Sequence, residues 1–77
     1  MFILYSTLGC HLCDQALAVI RPQLASQSDI QIVDIADNDA LFELYGVRIP
    51  VVKHESTGKE MGWPFGEREL SDWMAAL

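Results

Sequence analysis

Cys10 and Cys13 stand three residues apart, with His11 and Leu12 between them, just after an apolar run Phe2-Ile3-Leu4-Tyr5 and just before a segment of helical periodicity. On a helix this spacing puts the two side chains about 60° apart on the wheel and about 4.5 Å apart along the axis. Their sulfurs are then close enough to join in a disulfide. A helix N-terminus carries partial positive charge and unpaired N–H groups, which favour a thiolate over a thiol. Two thiols that can bond, one of them electrostatically activated, make a dithiol that can cycle. The more N-terminal Cys10 is expected to be the more exposed and the better stabilised. His11, when protonated beside it, would favour the thiolate further, whereas Asp14 would oppose it if close and otherwise complements the helix dipole.

These are the only 2 cysteines among 77 residues. A secreted disulfide scaffold would normally carry four or more. A bridge closing so short a loop also removes little unfolded-state entropy, so redox work is the better reading of the pair. A metal site is the competing use of Cys10, His11, Cys13 and His54. Zinc asks for about four convergent N/S ligands, but His11 projects away from the cysteines and His54 falls at the far end of a later strand. No metal is expected. An iron–sulfur cluster bridged between two copies, with Cys10 and an external thiol as ligands, is a further alternative.

The elements that must position the pair can be read in order. Residues 2–5 form a buried strand, and Ser6 to Gly9 a turn. Cys13, Ala16, Leu17, Ile20 and Leu24 then recur at one-face helical spacing, which predicts a helix over about 11–26, irregular at Pro22. Cys13 belongs to its buried face. Residues 30–35 make a second strand, ending beside Asp34, for which a turn or cap role is preferred over proton relay. Asp37-Asn38-Asp39 start a short helix with Leu41, Leu44 and Tyr45 on its apolar side, and Gly46 stops it as a C′ residue. Residues 47–52 read as a third strand with Pro50 near its start, where a missing N–H is tolerated and a cis bond is an option. A hairpin at 55–58 returns through 59–62. Leu70, Trp73, Met74 and Leu77 mark a final helix, which Trp63-Pro64-Phe65 seat or, alternatively, precede as an apolar lip beside the cysteines. The order β-α-β-α-β-β-α implies one α/β domain over residues 1–77, with helices on both faces of a four-stranded mixed sheet.

Composition excludes some functions. At 51% hydrophobic the chain is globular. Its apolar runs are too short to span a membrane, and no secretory leader is read before Phe2; a cytoplasmic monomer is expected. A net charge of -6, from 11 acidic and 5 basic side chains, argues against a nucleic-acid partner.

The run Tyr5-Ser6-Thr7-Leu8-Gly9-Cys10-His11-Leu12-Cys13, the run Tyr45-Gly46-Val47-Arg48-Ile49-Pro50-Val51 and the closing hairpin and helix together resemble the glutaredoxins, the smallest form of the thioredoxin fold. The likeness covers essentially the whole chain and is nearest to small bacterial glutaredoxin-like proteins that begin Gly-Cys-His-Leu-Cys-Asp. The resemblance implies thiol–disulfide exchange on a protein or small-molecule disulfide, with Cys10 attacking and Cys13 resolving. It implies a cis-Pro50 facing the disulfide, and an Ile49 backbone that pairs with a bound peptide or glutathione. Arg48 and His11 complete the expected substrate-binding set, Arg48 toward a carboxylate. No bound cofactor is implied; the reductant is glutathione or a thioredoxin-reductase-type dithiol. His11-Leu12 replace the usual Pro-Tyr, Leu8 and Gly9 the usual basic residue, and Gly62-Trp63-Pro64-Phe65-Gly66 the usual Gly-Gly-Asp-like turn. These departures count against glutathione. A non-catalytic module that binds a partner peptide along the Pro50 edge is the alternative from a different class.

Overall fold

Because successive side chains of a strand point to opposite faces, the five residues of β1 (Phe2–Ser6) divide the molecule into two cores. Leu4 points to one face, where it packs with Ala16, Ile20, Val52, Phe65 and Leu70. Tyr5 points to the other, where it meets Ile35, Tyr45 and Val51. The computed structural model, which describes residues 1–77, places β1 inside a four-stranded sheet of order β2-β1-β3-β4. β2 (Ile30–Asp34) runs parallel to β1, from Phe2 opposite Ile30 to Ser6 opposite Asp34. β3 (Val51–His54) runs antiparallel on its other side, with Tyr5 opposite Val51, and β4 (Glu60–Gly62) closes the hairpin. Helices α1 (His11–Ile20) and α3 (Glu67–Ala75) supply the first core, and α2 (Asp39–Tyr45) supplies the second. The expected element order and mixed sheet are both present.

Three boundaries and one cap differ from those expected. α1 ends at Ile20, not near residue 26. Pro22, which cannot donate to the preceding turn, instead sits in a 3-10 turn over Arg21–Gln23, and Leu24 is extended. Leu24 still packs against the first core, which is why its spacing imitates a longer helix. β2 stops at Asp34, and Ile35 begins a 3-10 turn while remaining buried. β3 begins at Val51, not Val47. Val47 is fully exposed, and the N–H groups of Arg48 and Ile49 both turn back to the Tyr45 carbonyl, at 2.8 and 3.1 Å. Gly46 caps α2 in a right-handed conformation (φ -52°), not as a left-handed C′ residue. Its requirement is one of space: a Cβ there would lie 2.5 Å from the Phe42 carbonyl oxygen.

Phe65 is buried in the first core, and Trp63 meets its ring edge-on at 5.1 Å. Gly66 serves as N-cap, with Glu69 reaching back to accept its N–H at 3.2 Å. No helix is long and apolar enough to cross a membrane.

Candidate active site

The turn out of β1 delivers the chain to α1 through Gly9, whose φ of +77° lies in the left-handed region. A Cβ there would meet nothing within 4 Å, so the demand for glycine is conformational, worth about 1 kcal/mol against an L side chain. Cys10 follows as the N-cap in an extended conformation. Its N–H donates to the Thr7 carbonyl at 3.4 Å, and its carbonyl accepts the first helical bond, from Asp14 N–H at 3.2 Å. Its Sγ takes the place of a capping oxygen and accepts the N–H of Cys13 at 3.1 Å.

Cys10 and Cys13 are joined in a disulfide, with Cα atoms 5.2 Å apart. The two are not equivalent. Cys13 is 3% exposed, on the face of α1 shared with Ala16 and Ile20, whereas Cys10 is only partly buried. His11 is the first residue of α1 and exposed. No three His, Cys, Asp or Glu side chains converge as metal ligands. His54 lies at the far end of β3, against the Phe2 ring at 5.1 Å and hydrogen-bonded to Thr57.

The register brings the other predicted residues to the same end of the sheet. Tyr5 lies opposite Val51, so Ile49 and Pro50 flank the turn that leads to Cys10. Pro50 is buried, its bond from Ile49 is cis, and its carbonyl accepts the Trp63 N–H at 3.0 Å. The Ile49 N–H is already taken by Tyr45, so only the Ile49 carbonyl is left to meet an added strand. Arg48 is committed as well. Its guanidinium pairs with Glu60 at 3.1 Å and lies 5.2 Å over the Tyr45 ring.

Sequence reasoning did not connect these groups. The buried Tyr45 stacks on Tyr5 at 4.2 Å, and its hydroxyl donates to Glu60. Tyr45, Arg48 and Glu60 thus tie the end of α2 to β4 across the loop that carries Pro50. The only signal for this in the chain is that each residue is polar and next to a predicted element end. The hydrogen bond from Tyr45, and secondarily Arg48, hold the Glu60 carboxyl below its ordinary value of 4.5, against desolvation that pushes it up. Burial foremost, with the bond to Glu60, holds the Tyr45 phenol well above 10. A depressed carboxyl contributes stability that is fully present above its unfolded value and lost as pH falls through the folded one. Glu60→Gln is therefore expected to cost about 1 kcal/mol at neutral pH. That difference should begin to shrink as the pH drops below 4.5 and be gone only below the depressed folded value, as followed by urea unfolding of both proteins across pH.

Asp34, on the other side of β1, is partly buried and accepts the Ala36 N–H at 2.9 Å. The cap role is therefore the one it fills locally. Asp34 also lines a groove bordered by Cys13.

A parallel β1-α1-β2 unit, an antiparallel hairpin, a helix on each side of the sheet and a Cys-x-x-Cys pair at the first helix define a thioredoxin-like fold. The chain belongs to the glutaredoxin-like family: the family model described as Glutaredoxin-like domain (DUF836) matches residues 1–75. It is similar to the X-ray structure of target protein XcR50 from X. campestris, with 36% identity and a TM-score of 0.89 over 100% of this chain and 99% of that one. It is also similar to the solution NMR structure of protein Ne2328 from Nitrosomonas europaea, with 25% identity and a TM-score of 0.74 over 94% of this chain and 87% of the other. No functionally curated protein matches the chain.

Proposed function

We propose that this domain is a thiol–disulfide oxidoreductase in which Cys10 attacks and Cys13 resolves. The observation that carries this reading is the unequal pair at the start of α1: Cys10 is only partly buried and its sulfur receives the Cys13 N–H, while Cys13 is 3% exposed. In the reduced protein the same N–H and the helix terminus favour a Cys10 thiolate. That thiolate attacks one sulfur of a substrate disulfide. The substrate S–S bond breaks, a mixed disulfide forms, and the departing sulfur leaves as a thiolate that takes a proton. Cys13 then loses its proton and attacks Cys10 Sγ, which closes the Cys10–Cys13 bond and releases the second substrate thiol. The substrate gains two electrons and the domain loses them.

Pro50 walls the substrate side of the dithiol, and the Ile49 carbonyl accepts an N–H from the bound chain. His11 assists Cys10 as a neighbouring cation when protonated. Because Arg48 is held by Glu60 and the glutathione-type turn is replaced, we favour a reductase-type dithiol over glutathione as the agent that recharges the pair. The monomer works in the reducing cytoplasm.

Iodoacetamide alkylation of the reduced protein against pH tests the reading. The Cys10 midpoint is expected clearly below the ordinary thiol value of about 8.5. A midpoint at that ordinary value would leave a non-catalytic peptide-binding module as the better account.

A further inference from the structure

The sheet order puts Asp34 and Pro50 on opposite sides of β1. On the Asp34 side a groove of about 270 Å³ opens between the start of α1, the loop after β1 and the end of β2. Leu8, Leu17 and Ile32 line it as apolar walls, Cys13 borders it, and Asp14 and Asp34 are its only charged residues. The walls are open to a visitor: Leu8 is 91% and Ile32 48% exposed. Neither carboxylate is neutralised, since Arg48–Glu60 is the one ion pair in the molecule. The Asp14 carboxylate has no hydrogen-bond partner, and Asp34 commits one oxygen to Ala36.

An apolar channel with two carboxylates suits a ligand with an aliphatic stem and a cationic head. Lysine and arginine have that form, because their methylenes lie along apolar surface while the charge meets the acids. A ligand whose charge near the sulfur is carboxylate is repelled by the same two groups. We propose that this groove receives a lysine or arginine side chain that flanks the substrate cysteine, so that the preferred substrates are disulfides in a basic sequence context. The assignment rests on the exchange reading above and names its substrate class.

The test separates binding from turnover. Three short peptides differ at one position, lysine, glutamine or glutamate, beside a serine that stands in for cysteine. Each is titrated into the oxidised protein and followed by amide chemical shifts. The lysine peptide should bind about 5- to 10-fold more tightly than the glutamine one, with shifts at Leu17, Ile32 and Asp34, and the glutamate peptide should bind most weakly. The lysine preference should fall to near unity in about 0.5 M salt. It should fall in D14N and fall further in D14N/D34N, where asparagine keeps the acceptor that caps Ala36. Equal binding of the lysine and glutamine peptides, or shifts confined to other faces, overturns the assignment.

The cysteine versions of the same peptides, as disulfides, then report turnover by the reduced protein. Reduction of all three at one rate, with equal binding, removes the groove and leaves thiol exchange standing. Selective binding of the lysine peptide with no reduction of any disulfide removes thiol exchange and supports the groove as a cation-binding site.

Discussion

Cys10→Ser is expected to reduce disulfide turnover by several orders of magnitude, to the uncatalysed rate. The serine hydroxyl can occupy the same N-cap and accept the same Cys13 N–H, so the fold has no reason to change. What it cannot supply at neutral pH is an anionic sulfur able to displace another sulfur. Cys13 does not rescue the variant, because at 3% exposure it cannot reach a substrate from outside. The companion Cys13→Ser should behave differently. Its Cys10 still attacks, but nothing resolves the mixed disulfide, so the protein accumulates as a covalent adduct with its substrate. Reduction of a chromogenic disulfide and mass spectrometry of the trapped species check both. If Cys10→Ser turns over at the parent rate, the division of labour between the cysteines is wrong.

The unequal burial of the two cysteines is legible in the chain, because helical spacing alone puts Cys13 on the face of Ala16 and Ile20. The element order was legible for the same reason: short apolar runs alternate with one-sided helical patterns, and the breaks fall at polar or glycine-containing segments. The misplaced boundaries share a cause. Leu24 obeys the helical pattern because it packs against the first core from an extended segment. Val47 and Ile49 look like strand residues by type, yet the N–H groups of Arg48 and Ile49 turn back to Tyr45 and leave the sheet unpaired there.

The polar neighbourhood of the site was much less legible. Arg48 invites a role as an anion receptor when seen alone, and only the fold brings Glu60, from β4, to within 3.1 Å of it. Likewise Asp14 and Asp34 are twenty positions apart, and no local pattern predicts that they border one groove beside Cys13. Contacts within a helix or strand are written in periodicity. Contacts between elements depend on register, which the parallel pairing of Ser6 with Asp34 and the antiparallel pairing of Tyr5 with Val51 set together.

Phe65→Ala should have the largest effect on stability, and it also decides what the Trp63-Pro64-Phe65 segment is for. Phe65 is 4% exposed and packs with Leu4, Ala16, Ile20, Val52 and Leu70, so it links α3 to β1, α1 and β3. Removing a buried phenyl ring costs about 3–5 kcal/mol in transfer and cavity free energy. A domain of this length has about 4–12 kcal/mol in all, and there is little second-layer structure to collapse into the hole. The variant is expected to be largely destabilised, with the denaturant midpoint falling and the slope m unchanged. Below its melting temperature, catalysis per folded molecule should keep its KM, since Phe65 packs within the first core, whose buried members include neither cysteine. An apolar lip for substrate would give the reverse result, a raised KM on an unaltered unfolding curve. The edge-on Trp63 ring, packed on Phe65 at 5.1 Å, would then report the difference by its fluorescence. In the seating role its environment changes as the core loosens, whether or not a substrate is present.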